Sequence, residues 1–334
     1  MGVIPEPVTA LPTLAVRDLN VSFRSRVGEV RIVRDISFEI PRGEVFAIIG
    51  ESGSGKSTTA QAIMGLQPRG ATVRGQIHLG KDDIQTMAPR ARRRLNGQRI
   101  SLISQDALSA LNPCTTVGYQ IAEVLMVHRG VAKQEAMARA VELLSLTGIP
   151  APSECVNHYP HQFSGGMRQR ALIAIALALE PELLIADEPT TALDATIKAQ
   201  ILALLASLRE KFGMSILLIT HDMGAVARLA DRVLVMYAGQ AMEVGDVASV
   251  FSRPEHPYTR ALLESMPRLD KHGALLEAIP GTPPSPSEVA HGCPFQPRCA
   301  FAGDICREQM PSAVERSNGG HVACHFALRE MNYA

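Results

Sequence analysis

The sequence has no tryptophan and few aromatics of any kind, with Phe, Tyr and Trp together making 4 % of 334 residues. Stacking platforms for single-stranded nucleic acid need such rings, so that function is disfavoured. Net charge is also missing, since 33 acidic side chains face 33 basic ones. A general phosphate-backbone binder would carry an excess of Lys and Arg. Long apolar runs are absent as well. The longest, Ala171–Leu179, is flanked by Arg170 and Glu180 and falls short of the roughly 18–20 residues that cross a bilayer. The N-terminus, MGVIPEPVTA, has no basic region leading into an apolar stretch, so no secretory leader is expected. Glu6 stands where a myristoylation pattern wants Ser or Thr. The expectation is a cytoplasmic chain that meets a membrane only through a partner.

What is present is enough for a large core. Apolar residues make up 46 % of the chain, and its length suggests two domains, with room for a small third. Residues 14–23 and 30–40 alternate apolar and polar side chains, which predicts antiparallel strands. Val45–Ile49, Leu183–Ala186 and Ile216–Ile219 are short and wholly apolar, as in a parallel sheet buried on both faces. A helical stripe starts near Asp194, runs through Ile197, Ile201, Leu204, Leu205 and Leu208, and stops at Gly213. Between about 106 and 170 strand patterns give way to helical ones, such as Ile121–Val127 and Glu135–Leu146. Strand and turn signals return at Arg232–Tyr237, Gly239 and Ala241–Val244, and the Pro-rich stretch Pro280–Pro286 precedes a cysteine-bearing tail. The fold class predicted is α/β with right-handed crossovers. Arg90, Arg92, Arg93, Arg94 and Arg99 read as a solvated helix face, with lipid headgroups or a partner loop as the alternative.

Three segments carry chemistry. Gly50-Glu51-Ser52-Gly53-Ser54-Gly55-Lys56-Ser57 fits G-x-x-x-x-G-K-[ST], follows an apolar strand and precedes the helical stretch Thr58–Leu66. The glycines let backbone N–H groups wrap an anion, and the helix N-terminus adds roughly half a positive charge. Lys56 would reach the β- and γ-phosphates, and Ser57 would hold Mg²⁺. Leu183–Ala186 ends in Asp187 and Glu188, whose side chains should point opposite ways. Asp187 would support Mg²⁺, and Glu188 would act as general base toward a water. His221 closes a third apolar strand, so three strand ends deliver Lys56, Glu188 and His221 to one edge. A capping or core histidine is the plainer reading of His221 alone.

Phe163-Ser164-Gly165-Gly166-Met167-Arg168-Gln169 narrows the class. It resembles the LSGGQ signature of ATP-binding cassette (ABC) ATPases, and an apolar helix follows. A simple Ser N-cap explains Ser164, but two glycines in a first turn disfavour the helix and need a reason, such as close approach of a phosphate. With Gln105, Asp187–Glu188, Asp194 and His221 in the same order, the resemblance covers about residues 12–245. It implies an ABC-type P-loop ATPase with an antiparallel β subdomain, a helical subdomain and a small Cys-containing C-terminal extension. Two such domains would pack head to tail, ATP held by Gly50, Ser52, Gly53, Ser54, Gly55, Lys56, Ser57 and Thr58 of one being closed over by Ser164, Gly165 and Gly166 of the other, with Gln169 and Asp194 beside them. Phe23 resembles the aromatic that stacks on adenine, with Val33 next to it; a buried strand phenylalanine is the alternative. Gln105 matches the glutamine that contacts Mg²⁺ and the attacking water, and opens the insertion that in this family docks on membrane-spanning subunits. The sequence departs from the family at Ala107, where many members have Pro, and at Met167, where the signature ends in Gln.

His256-Pro257-Tyr258-Thr259-Arg260-Ala261-Leu262-Leu263 and Leu111-Asn112-Pro113-Cys114-Thr115-Thr116-Val117-Gly118 resemble ATPase subunits of dipeptide, oligopeptide and nickel importers. The division implied is 1–245 as nucleotide-binding domain, 106–170 its helical subdomain, and 246–334 as extension. Of six cysteines, Cys293, Cys299, Cys306 and Cys324 crowd the tail. In members of this branch such cysteines bind a 4Fe-4S cluster. Structural zinc, whose paired C-x-x-C spacing is missing, and free thiols are the alternatives. The resemblance implies a peripheral subunit on the cytoplasmic face of the membrane, working with two membrane-spanning permease subunits, a second ATPase subunit and an extracytoplasmic substrate-binding protein, and with no nucleic acid. A nickel or glutathione importer would share the ATPase. A non-transport ABC ATPase acting on nucleic acid or the ribosome would show a coiled-coil insertion, a tandem cassette or a basic surface, and a kinase would lack Ser164–Gln169 and His221.

Overall fold

Two sheets share one framework in the computed structural model, which describes residues 11–25, 28–265, 279–288, 291–316 and 319–327. The N-terminal residues on which the leader and myristoylation readings rest lie outside these. Among the described residues the larger sheet has eight strands. Edge to edge they are Val314–Glu315, His321–Val322, Gln240–Asp246, Arg232–Tyr237, Val45–Ile49, Ser215–Ile219, Leu183–Asp187 and Ile100–Ile103. The last five run parallel. Period-two alternation splits the central strands between two cores. Val45, Ala47, Ile49, Leu184, Ala186, Ile216 and Leu218 face one core; Phe46, Ile48, Leu183, Ile185, Leu217 and Ile219 face the other. Both faces are covered, so the strands read as unbroken apolar runs in the sequence.

The smaller, antiparallel sheet runs Gly28–Ile40, Leu14–Ser25, Ala71–Leu79 and Asp82–Asp83. Its inner side chains, among them Leu14, Val16, Leu19, Ile36 and Ile77, join the second core. The sequence reading did not find Ala71–Leu79, whose middle is polar and interrupted by Gly75. That glycine has φ +105°, and a Cβ on it would lie 2.5 Å from the Asp18 carbonyl oxygen of the neighbouring strand. Only glycine tolerates so close a backbone approach.

Helices Val117–Arg129, Lys133–Leu146 and Gly165–Ala176 pack on the first core. The long helix Ala195–Phe212 is capped by Asp194, whose Oδ1 accepts from the Ile197 N–H at 2.9 Å, and stops at left-handed Gly213. The arginine run is not one solvated face. Arg90, Arg93 and Arg94 are exposed, but Arg92 donates to the carbonyls of Ala62 at 2.7 Å and Ile63 at 3.3 Å. Those carbonyls end the helix Lys56–Met64, where helices leave acceptors without internal partners. Arg99 bridges Asp82 at 2.6 Å and Glu182 at 2.7 Å, linking the two sheets.

The tail does not stand apart. His321–Val322 pairs with Gln240–Asp246, extending the main sheet. Arg316, with a side chain 1 % exposed, lies 3.2 Å from the Glu243 carboxylate and 3.6 Å from that of Glu255. Burial pushes Glu243 toward the neutral acid, and the cation opposes this. Replacing Arg316 by Met would leave a carboxylate buried without its cation. Such a loss costs about 3–5 kcal/mol, so Arg316→Met should lower stability by that order in a denaturant titration of the full chain. A midpoint equal to wild type would show that the pair anchors nothing.

Candidate nucleotide site

The turn Gly50–Gly55 joins strand Val45–Ile49 to helix Lys56–Met64. The helix N-terminus has no side-chain cap, since Gly55 occupies the cap position at φ 104°. Its first N–H groups are therefore free to bind an anion. Gly50 has φ +151°, and a Cβ there would sit 2.0 Å from the Met236 carbonyl oxygen. The loop is thus pressed against the neighbouring strand at its first residue. Lys56 is 7 % exposed. Its Nζ donates to the carbonyls of Gly50 at 2.7 Å and Glu51 at 2.9 Å, folding back over its own loop. Burial lowers its pKa, while the carboxylates of Glu188, Asp187 and Glu51 counteract that.

The next strand ends complete the edge. Ser57 Oγ donates to Asp187 Oδ1 at 3.1 Å, so the hydroxyl and the carboxylate expected at Mg²⁺ already meet. Burial raises the Asp187 pKa, and the Ser57 bond opposes the rise. A divalent cation would favour the carboxylate, so this donor set suits one. Glu188 takes φ +53°, a conformation L-residues rarely adopt. Its Oε2 accepts from Thr191 Oγ1 at 2.6 Å, and its Oε1 lies 2.7 Å from His221 Nδ1. Gln105 follows strand Ile100–Ile103. Lys56, Ser57, Glu188, His221 and Gln105 line one cavity of about 670 Å³, with Ser52, Gly53, Gly55 and Thr58 on its loop side.

Not every expected residue reaches this cavity. Val33 is fully buried in the second core, and Ile32 beside it lines the cavity instead. Phe23 is half-buried on the antiparallel sheet, opposite Val30 and Ala71, and is not part of the lining. Ser54 is 4 % exposed and lies behind the loop, its hydroxyl 3.5 Å from Lys56 Nζ. Ser164 caps helix Gly165–Ala176, accepting from the Met167 N–H at 3.3 Å. A Cβ on Gly166 would lie 2.9 Å from Ile197, and one on Gly165 would lie 3.7 Å from Leu193. Close packing on the Asp194-capped helix is therefore one reason for Gly166, while Gly165 makes only an ordinary contact with Leu193. This packing gathers Ser164, Gly165, Gly166 and Asp194 into a second patch, separate from the Lys56 cavity. Gln169 is 4 % exposed and does not line the Lys56 cavity. Ala107 opens the short helix Ala107–Ala110 after the Asp106 cap, a position that proline fits equally well.

Sequence reading missed Thr191 as the partner of Glu188, and it missed that the tail contributes to the site. Pro286 lines the Lys56 cavity, and its carbonyl accepts from Arg34 at 2.9 Å. Nothing local in the sequence signals a contact across that separation.

Cys293, Cys299, Cys306 and Cys324 line one small cavity with Phe295 and His256. All are free thiols. Burial pushes Cys293 up to about 11 and Cys324 up to about 12, and raises Cys299. Among the described residues no group of three or more His, Cys, Asp or Glu has closed to metal-holding geometry. The four thiols share a cavity without being drawn onto one point. Cys114 is exposed and Cys155 is buried away from them.

A phosphate loop on a parallel sheet, with a lysine, a serine–aspartate pair and a glutamate at the strand ends, defines a P-loop nucleoside triphosphatase. Residues 33–191 match the ABC transporter family, and residues 242–306 match the oligopeptide/dipeptide transporter C-terminal region. The dipeptide transport ATP-binding protein DppD of Bacillus subtilis is 49 % identical over 96 % of this chain and 96 % of its own length. The oligopeptide transport ATP-binding protein OppD of Salmonella typhimurium is 47 % identical over 98 % of this chain and 97 % of its own. A dimeric ATP-binding cassette solved in a post-hydrolysis state with ADP and Pi is 27 % identical with a TM-score of 0.63, covering 70 % of this chain and 98 % of that one. The chain belongs to the ABC transporter family of ATP-binding subunits, in the branch that carries the oligopeptide/dipeptide transporter C-terminal region.

The close contact at Gly50 makes a direct prediction. Gly50→Ala should force the loop off Met236, at a cost of about 1–3 kcal/mol, and should abolish nucleotide binding. Thermal unfolding and a fluorescent-ATP titration check both, and unchanged affinity would show that the loop tolerates displacement.

Proposed function

We propose that this chain is the ATP-binding and ATP-hydrolysing subunit that powers a membrane importer of di- or oligopeptides. The observation that carries the reading is the convergence of Lys56, Ser57, Glu188, His221 and Gln105 on one cavity beyond four neighbouring parallel strands. Peptide as cargo is supported by the full-length similarity to dipeptide and oligopeptide transport proteins.

In the reaction, Lys56 exchanges its loop carbonyls for β- and γ-phosphate oxygens. Ser57 and Asp187 would hold Mg²⁺, which would supply neutralising charge for the polyanion when bound. A water positioned by Gln105 attacks the γ-phosphorus and passes a proton to Glu188. The bond from that phosphorus to the β–γ bridging oxygen breaks, giving ADP and phosphate. Thr191 and His221 hold one oxygen each of the base, so its carboxylate is oriented before substrate arrives.

The second patch, Ser164–Gly166 with Asp194, belongs to the opposite site of a pair. Each protomer contributes one half to a neighbouring ATPase subunit, so hydrolysis requires closure, and closure moves the membrane-spanning subunits. Phe23 stacks on adenine from the antiparallel sheet. Among the described residues no helix is long and apolar enough to cross a membrane. On this reading, which the similarity to transport ATP-binding proteins supports, the chain sits on the cytoplasmic face, docked through its helical subdomain, 106–170, on two permease subunits that receive peptide from an extracytoplasmic binding protein. Residues 1–245 then form the nucleotide domain and 246–334 the extension.

The four tail thiols suit a 4Fe-4S cluster in donor type and number. Cys293, Cys299, Cys306 and Cys324 would hold it as thiolates, and the cluster would supply a cross-link to a segment with little core of its own. Because burial raises the pKa of Cys293, Cys299 and Cys324, loading them as thiolates would release protons and strengthen as pH rises. Anaerobic purification followed by iron and sulfide analysis should give about four of each per chain; zinc in their place, or no metal, would remove the cluster.

Glu188→Gln should keep nucleotide affinity while phosphate release from the assembled transporter falls about 10²–10⁴-fold. Turnover near wild type would take the base role away from Glu188.

A further inference from the structure

Arg298 reaches from the cysteine-bearing tail into the phosphate loop. Its side chain is 4 % exposed. Nη1 donates to Glu51 Oε2 at 2.6 Å and Nη2 to Glu51 Oε1 at 3.1 Å, the fork-on-carboxylate geometry of a strong pair. The remaining donors are also taken. Nε donates to the Pro280 carbonyl at 2.8 Å, Nη2 to that of Ile279 at 3.3 Å, and Nη1 to Tyr237 Oη at 3.2 Å. The guanidinium is fixed from every side, and Phe295 from the same turn packs edge-on against Tyr237.

Glu51 is the residue that follows Gly50 in the phosphate loop. The extension grips it at two points, because its backbone N–H also donates to Tyr258 Oη at 2.9 Å. Its carbonyl in turn accepts from Lys56 Nζ. A continuous path therefore runs from Arg298 through Glu51 to the lysine that meets the phosphates. The carboxylate of Glu51 is also a negative charge beside a cradle built for a polyanion. Arg298 cancels that charge, and without it Glu51 would repel the triphosphate or turn to pair with Lys56.

We propose that Arg298 is a positioning residue of the nucleotide site, anchoring and neutralising Glu51 so that the tail sets the affinity of the phosphate loop for a nucleoside triphosphate. The proposal rests on the nucleotide reading above and gives the extension a part in it.

The test uses the full-length chain and a fluorescent ATP analogue. Wild type should bind and Lys56→Ala should not; a wild-type chain without affinity would refute the nucleotide reading itself. Arg298→Met should bind about tenfold more weakly, with Arg298→Lys in between because a single ammonium cannot span both oxygens. Adding Glu51→Gln to Arg298→Met should restore affinity to within about threefold of wild type, since the charge needing compensation is gone. Glu51→Gln alone, which keeps the arginine and its folding role, should bind about threefold more tightly. A merely structural arginine predicts no rescue and a weaker single Gln variant. Wild-type affinity in Arg298→Met, an unrescued double variant or weaker binding by Glu51→Gln would each overturn the proposal.

Discussion

The rest of the structure depends on a helix N-terminus left without a cap. Most helices here are closed by a side chain, as Asp194 closes Ala195–Phe212 and Ser164 closes Gly165–Ala176. The helix that follows the phosphate loop has glycine at that place and no side-chain bond. Its N–H groups keep their partial positive charge for an incoming anion. Holding such a terminus open requires a rigid support. The buried strand behind it and the contact of Gly50 with Met236 provide one. Lys56 then waits on loop carbonyls, which are weaker partners than phosphate oxygens.

Much of this was legible in the sequence because several constraints coincide there. Val45–Ile49 is wholly apolar because both faces of the strand are covered, and the glycines after it follow from backbone geometry. The order Lys56, Gln105, Glu188, His221 converges in space because parallel strands bring their carboxyl ends to one edge. Where the reading went astray, a local pattern had two physical origins. Val33 and Ile32 are both apolar, and only strand register decides which faces the cavity. Arg92 and Arg99 look like their neighbours in the sequence, yet one ends a helix and the other joins two sheets. The tail strands Val314–Glu315 and His321–Val322 are too short to show any period.

The signature segment illustrates how one glycine can answer two demands. Gly166 lets its helix approach Ile197, which is a packing requirement visible within a single chain. On the proposed reading the same absence of a side chain also lets a phosphate approach the segment closely. A single copy holds its phosphate loop in one place and this Ser164-capped segment in another. On the proposed reading each half closes over the nucleotide held by the other, and a paired enzyme is expected rather than a solitary one.

The extension bears on the same point from the other side. A tail attached only by its chain would move independently of the nucleotide site. This one is tied by sheet pairing, by the Arg316 ion pairs and by a carboxylate in the phosphate loop. Buried ion pairs contribute little net stability compared with apolar packing, but they are demanding in geometry. Three such ties therefore fix where the tail sits more strongly than how firmly it is bound.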